Sequence, residues 1–254
     1  MRLRRRLAEG AADLLGLQVL PRADVWDWPE DHYWRALFKA LDIDCVFDVG
    51  ANVGQYGRLL RSRGFEGLIL SFEPAPATFE TLAKTAAGDA RWHVHPYAFG
   101  AEPGVLPFHV MEQSVFSSFL TPSDDASLPF QGENVVARTI DVEVRTIADS
   151  YAALAAAHGF ARPFLKLDTQ GYDLQVVNGA GEAMANFLGV LSEVPRLRLY
   201  DGSPTLFESI AAFTERGFDL ARMFPVHPHL VLETIEFNAY FVSRLHSRPG
   251  GSPP

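Results

Sequence analysis

From residue 45 onward the chain alternates short apolar runs with segments whose apolar side chains recur every three or four positions. That rhythm predicts a mostly parallel sheet covered by helices. Residues 45–49 read as a buried strand ending at Gly50; Val53, Tyr56 and Leu60 then share one helix face, and Gly64 supplies the stop. Residues 68–72 predict a second strand. Phe79, Leu82, Ala83 and Ala86 predict a helix broken at Gly88, and 92–95 a third, weaker strand. Residues 99–145 leave the rhythm. Segments 105–110 and 139–144 read as extra strands, and the Ser-, Asp- and Pro-rich stretch between them, 112–134, as a long surface loop of the kind that serves as a lid.

The rhythm resumes with Ile147, Tyr151, Leu154 and Ala155 on one helix face, closed by Gly159. A strand over 164–167 delivers Asp168, a helix follows over 171–180, and a strand over 187–191 runs into Ser192 and Glu193. Ser203-Pro204 reads as an N-cap with Pro at the first helical position, followed by Leu206, Ile210 and Phe213 on one face and Gly217 as the close. Segments 218–223 and 235–242 read as a hairpin-like pair. The expected organisation is an N-terminal helical extension over 1–43, one α/β domain over 44–245 and a Gly/Pro/Ser-rich disordered tail over 246–254.

Composition narrows the partners. Of 254 residues, 48% are hydrophobic and 21% charged, which fits a globular domain with a sizeable core. A net charge of −9 disfavours a polyanion such as nucleic acid. Cys45 is the single cysteine, so an internal disulfide and a multi-cysteine zinc site are both excluded, and a reducing cytoplasm suits the chain. Arg2, Arg4, Arg5 and Arg6 precede Leu7, Ala11, Leu14 and Leu15 at helical spacing, which predicts a basic amphipathic helix. Its apolar face fits packing on the domain or a homodimer contact, or else a membrane surface. No run reaches the ~18 apolar residues of a transmembrane helix.

Three motifs carry chemistry. Asp48-Val-Gly50-Ala-Asn52-Val-Gly54 lies between a strand and a helix, where open α/β sheets bind nucleotide-like ligands. It is neither the dinucleotide Gly-x-Gly-x-x-Gly nor a phosphate loop ending in Lys-Ser/Thr. An acid and no lysine favour a ligand with cationic or hydroxyl-bearing parts. Glu73 ends the second strand, where a carboxylate can accept both hydroxyls of a ribose. Lys166 interrupts an apolar strand and, being costly to bury alone, should pair with a carboxylate such as Asp168 on the same face. The pairs His93/His95 and His227/His229 have the spacing of metal ligands but read as structural, with His229 the one candidate for a base.

The segments VFDVGANVGQYGRLL, LSFEPAPATFETL, VRTIADSY, FLKLDTQGYDLQVVNGA and GVLSEV are similar, in order and spacing, to the FkbM family of S-adenosylmethionine-dependent methyltransferases. The resemblance spans about residues 44–243. It implies a class I Rossmann-like fold with a mostly parallel seven-stranded sheet, helices on both faces and an inserted strand and lid region. It further implies O-methylation of a small-molecule or glycan acceptor: a sugar, glycolipid or polyketide-type hydroxyl. Asp48, Gly50, Asn52 and Gly54 would surround the amino-acid part of the cofactor, with Glu73 on the ribose and Asp168 at the methyl-transfer mouth. Ala98 falls on the adenine side, preceded by Pro96-Tyr97 where the family has a smaller polar residue. Ser117 and Ser118 match the family's loop serine pair. Gln170 stands where the family carries Glu. Asp168 could serve as base with Lys166 as its partner, or bind a divalent ion such as magnesium with Asp173 or Glu193; the neutral Gln170 favours the metal-free version. The competing readings are a cofactor-binding protein without turnover and a nicotinamide or nucleotide-sugar oxidoreductase.

Overall fold

Alternation along the first strand sets up the whole domain. In β1 (Cys45–Val49), Cys45, Phe47 and Val49 face one core, while Val46 and Asp48 point to the opposite side. These and the following statements describe residues 25–125, 134–226 and 234–245 of a computed structural model. The chain divides into two compact units, Met1–Ala40 and Leu41–Pro254. Of the first, the described part is essentially one helix, α1 (Trp28–Leu41), with Glu30 and Asp31 in its first turn and Lys39 in its last, the charge order the helix dipole favours. The expected basic helix over 1–20, the tail over 246–254, His227 and His229, and positions 126–133 of the expected lid lie outside the described residues.

In the second unit, β1 leads through α2 (Gln55–Ser62) to β2 (Leu68–Phe72), then through α3 (Pro76–Ala86) to β3 (Trp92–His95). The chain next builds a separate three-stranded sheet from β4 (Ala98–Phe99), β5 (Gly104–Met111) and β6 (Val136–Arg145), with β5 and β6 antiparallel. It returns through α4 (Ile147–His158) to β7 (Pro163–Leu167) on the other side of β1, then through α5 (Asp173–Ala180) to β8 (Gly189–Pro195). After α6 (Leu206–Glu215), β9 (Phe218–Pro225) and β10 (Glu236–Ser243) finish the main sheet. Its order is β3-β2-β1-β7-β8-β10-β9, with β10 antiparallel to both neighbours and the other pairings parallel.

The strands and helices expected between residues 45 and 242 appear, with local corrections. The strand expected over 187–191 instead spans Gly189–Pro195, so Ser192 and Glu193 are strand residues rather than its exit. The cap of α6 is Thr205, not Ser203. Thr205 and Glu208 form a reciprocal capping box, whereas the Ser203 hydroxyl donates to the Tyr200 carbonyl. Residues 112–125 are not a free loop. Ser114–Phe116 form a 3-10 turn, and Ser118 pairs with His109 as an isolated β-bridge.

The core on one face joins Phe47, Phe72, Leu165 and Phe241 to Ile147 and Leu154 of α4, Val176 and Val177 of α5, and Phe213 of α6. On the other face, the Trp92 ring of β3, whose Nε1 donates to Ser71 of β2, packs on α2 at Gly57, where an added Cβ would lie 2.1 Å from it. Gly179 of α5 is required for a similar reason. A Cβ there would sit 1.9 Å from the Gly100 carbonyl oxygen, so the Asn-Gly-Ala at the end of α5 is a packing feature.

Candidate active site

The sheet order reverses at β1: the chain moves outward to β2 and β3, then returns to β7 on the opposite side. Ligands of open α/β sheets bind beyond the carboxyl ends at such a switch point. Strand register places three polar residues side by side just below it. Ser71 of β2, Asp48 of β1 and Lys166 of β7 occupy one row across three hydrogen-bonded strands. Asp48 is fully buried, and its Oδ1 lies 2.9 Å from Lys166 Nζ. Its Oδ2 accepts from Ser71 Oγ at 3.0 Å, which in turn accepts from Trp92 Nε1 at 3.0 Å. Lys166 also donates to the Gly50 carbonyl at 3.2 Å and faces Asp168 Oδ2 at 3.4 Å. Burial alone would lower the Lys166 pKa; the Asp48 and Asp168 carboxylates outweigh it and hold the ammonium above the ordinary lysine range.

Asp168 was the partner expected for Lys166, but Asp48 on the neighbouring strand is closer. Strand alternation within one segment cannot reveal a cross-strand partner. Asp168 itself lies higher, at the crevice, with its side chain 39% exposed. Gly50 has φ +74, and a Cβ on it would lie 2.0 Å from the Asp168 carbonyl oxygen. This glycine is therefore required by the close passage of the β1 turn over the end of β7. Gly54, at φ +88, likewise lies against Leu82, Thr85 and Trp92.

Glu73, at the tip of β2, is only 6% exposed. Its Oε2 accepts from Asn52 N at 3.0 Å and its Oε1 from Ala75 N at 2.9 Å. Each oxygen keeps a second lone pair for a further donor. Burial pushes this carboxyl up to about 7 against the opposing pull of those two N–H groups. Asn52, at φ +47, turns its Oδ1 to Val53 N at 2.7 Å and to Ser114 Oγ at 3.1 Å, so the 3-10 turn after β5 is tied to the glycine turn. Ser117 Oγ accepts from Met111 N, and the buried Ser118 Oγ donates to the Gln170 carbonyl at 2.9 Å.

Beside Asp168 is a small recess lined by Gln170, Gly171, Glu193, Pro195, Leu199, Tyr200, Ser203 and Glu236. Gln170 Nε2 donates to Asp168 Oδ1 at 3.0 Å and to Glu193 Oε2 at 2.8 Å. Tyr200 Oη lies 2.7 Å from the Phe116 carbonyl and 3.0 Å from Gln170 Oε1, its one proton shared between the two acceptors. Burial, reinforced by the neighbouring acids, raises Glu193 well above the usual carboxylate range and Glu236 to about 7. Asp173, by contrast, is enclosed: it accepts from Thr169 N, Thr169 Oγ1 and Ser192 Oγ. Among the described residues, no group of three or more His, Cys, Asp or Glu is arranged to hold a metal ion.

The structure thus gathers Asp48, Gly50, Asn52, Glu73, Lys166 and Asp168 at one edge of the sheet. Ala98 is buried in β4, paired with Val144, apart from those hydrogen bonds. The His93 ring lies 4.3 Å from that of His158, and His95 stacks on Phe72 at 5.0 Å. Burial, with His158 and His93 nearby, lowers His95 to about 4, as suits a packed neutral ring. Tyr200 and Glu236 escaped sequence reasoning, because they reach the site from a loop after β8 and from an antiparallel strand.

A seven-stranded sheet in this order, with a glycine turn after β1 and an acid at the tip of β2, defines the class I fold of S-adenosylmethionine-dependent methyltransferases. The Methyltransferase FkbM domain family matches residues 48–220, and the chain belongs to it. The chain is 26% identical over 197 residues to Methyltransferase sdnD of Sordaria araneosa, covering 70% of this chain and 74% of that one. Similar solved structures include the fibrillarin of Aeropyrum pernix with bound S-adenosyl-L-methionine, at 12% identity and a TM-score of 0.45, covering 78% of this chain and 66% of that one. Another is magnesium protoporphyrin IX methyltransferase of Synechocystis, at 10% identity and a TM-score of 0.44, covering 83% and 75%. Among the described residues, no helix is long and apolar enough to cross a membrane.

Proposed function

We propose that this methyltransferase transfers the methyl group of S-adenosylmethionine to a hydroxyl of a sugar, glycolipid or polyketide-type acceptor, with Asp168 as the base. One observation carries the reading: Asp168 is an oriented, part-exposed carboxylate at the switch-point crevice, on the same sheet edge as Glu73 and the glycine turn. The donor set fits the cofactor. Its sulfonium and ammonium groups and its ribose hydroxyls call for acids and hydrogen-bond acceptors, and the basic residue of the cluster, Lys166, is already neutralised by Asp48. Glu73 would take the ribose through its remaining lone pairs, and the Gly50–Asn52–Gly54 turn would surround the amino-acid part. Ala98 would border the adenine, and Ser117, in the segment tied to Asn52 through Ser114, would border the cofactor's covered side. Asp48 would act from beneath by fixing Lys166.

The cofactor supplies a methyl group activated on a positive sulfur. What the chain must add is alignment and removal of the acceptor's proton. Lys166 and Gln170 each hold one oxygen of Asp168, leaving the second lone pairs free toward the crevice. An acceptor hydroxyl there donates its hydrogen bond to Asp168 and passes its proton to it as the oxygen takes up the methyl group. The recess beside it is lined by Glu193, Glu236, Gln170 and Tyr200, which suits a neutral, hydroxyl-rich acceptor and disfavours an anionic one. The test is methyl transfer from labelled S-adenosylmethionine to a panel of hydroxyl acceptors. Asp168→Asn should lower turnover by about 10²-fold or more while cofactor affinity is kept. Normal turnover by that variant would remove Asp168 as the base.

A further inference from the structure

Gln170 stands where two carboxylates are drawn to a single atom. Its Nε2 lies 3.0 Å from Asp168 Oδ1 and 2.8 Å from Glu193 Oε2, and its Oε1 faces the Tyr200 hydroxyl at 3.0 Å. A primary carboxamide has two N–H bonds, and here each meets a carboxyl oxygen, while its carbonyl oxygen shares the one Tyr200 hydroxyl proton with the Phe116 carbonyl. Carboxylates only accept, so the nitrogen must face them. Held this close in a poorly hydrated recess, the two acids repel. Proteins meet that problem with a proton, a cationic side chain or a metal ion. The proton that burial and the neighbouring acids favour on Glu193 answers part of it, and Lys166, facing Asp48 and the other oxygen of Asp168, another part; neither orients the Asp168 Oδ1 and Glu193 Oε2 atoms that the amide nitrogen meets.

The backbone commits Gln170 to this place. Its φ of +53 lies in the left-handed region, uncommon for a residue with a side chain and found where surrounding contacts enforce it. Gly171 continues the turn at φ +85, and the Gln170 carbonyl is held by the buried Ser118 hydroxyl. Among the described residues, Asp168, Glu236 and the enclosed Asp173 add negative charge around Glu193, and Lys166 opposes it. A further negative charge at position 170 would add to the repulsion among these acids.

We propose that Gln170 is the positioning residue of this site: its neutral carboxamide holds Asp168 and Glu193 together as a bridging divalent cation would. Asp168 is thereby oriented with no metal between the two acids. The effect on turnover rests on the reading of Asp168 as base, but the clamp itself does not.

The full-length protein, Gln170→Glu and Gln170→Leu are titrated with manganese by calorimetry and melted with magnesium or with chelator. The wild type should show no saturable manganese binding and no metal-dependent Tm. Gln170→Glu should melt lower in chelator, recover with either metal, and lose that recovery when Asp168→Asn is added. Gln170→Leu should melt lower without any metal response, whereas a purely structural role for the side chain would leave the two variants alike. Saturable manganese binding by the wild type that Asp168→Asn abolishes would overturn the proposal, as would a Gln170→Glu protein indifferent to metal. Should Gln170→Glu fail to fold, nitrogen-15 spectra of the wild type decide. Both carboxamide protons of Gln170 should be shifted and slow to exchange, and solvent-like signals would overturn the clamp. None of these readouts needs cofactor or acceptor, so failure of the methyl-transfer reading would be seen separately, as absent cofactor binding.

Discussion

Replacing Lys166 with Met tests whether the buried ion pair is structural support for the crevice. The side chains of Lys166 and Asp48 are 6% and 0% exposed, with nitrogen and oxygen 2.9 Å apart. At an effective dielectric constant of about 20, that separation gives roughly 6 kcal/mol of gross attraction, most of it offset by the cost of removing both charges from water. Deleting one partner exposes that cost. Asp48 would keep only the Ser71 hydroxyl, and an uncompensated buried charge destabilises by about 3–5 kcal/mol. In a domain of this size each kcal/mol moves Tm by about 2–4 °C, so Lys166→Met should melt roughly 6–20 °C lower. Thermal and urea unfolding measure the loss, and adding Asp48→Asn should restore part of it because the two residues are coupled. A loss below about 1 kcal/mol, the scale of an exposed ion pair, would refute the reasoning.

Glu73→Gln should weaken S-adenosylhomocysteine by roughly 10- to 100-fold in calorimetry, and should also lower stability by about 1–3 kcal/mol, because an amide can accept only one of the Asn52 and Ala75 N–H groups. Unchanged affinity would take Glu73 off the ribose. Stability should fall as pH rises from about 4.5 to 7. Glu73 and Glu236, raised from 4.5 to about 7, together with Glu193 and Asp173, bind more protons folded than unfolded over that window. His95 and His158, lowered from 6.5, act in the opposite sense and are fewer, so a Tm that climbs between pH 5.5 and 7.5 would contradict the burial of these acids. The Ser118 amide, bonded to the His109 carbonyl, should resist hydrogen exchange even without ligand. Exchange as fast as in an open loop would show that this part of 112–134 is a free lid.

The β/α rhythm was legible because burial on both faces leaves continuous apolar runs in β1, β2 and β7, and because glycines punctuate the helices. Lys166 betrayed a buried charge by interrupting such a run. Its partner was hidden, because the Asp48–Lys166 row is a product of parallel register between segments far apart in sequence. The misplaced cap of α6 shows the same limit in reverse. Ser203-Pro204 has the right chemistry, but Thr205 and Glu208 satisfy two backbone groups reciprocally and win. Gln170 could be seen only as a neutral residue among acids. Its meaning came from Glu193 on β8 and Tyr200 beyond it, which no local pattern brings together.

The central claim, a cofactor site at the carboxyl edge beside β1, is tested most directly by calorimetric titration of the folded wild-type protein with S-adenosylhomocysteine. The account predicts saturable binding of one molecule per chain, accompanied by a rise in Tm from preferential binding to the native state. Absence of both heat and Tm shift at millimolar ligand, with the protein verified as folded, would contradict it.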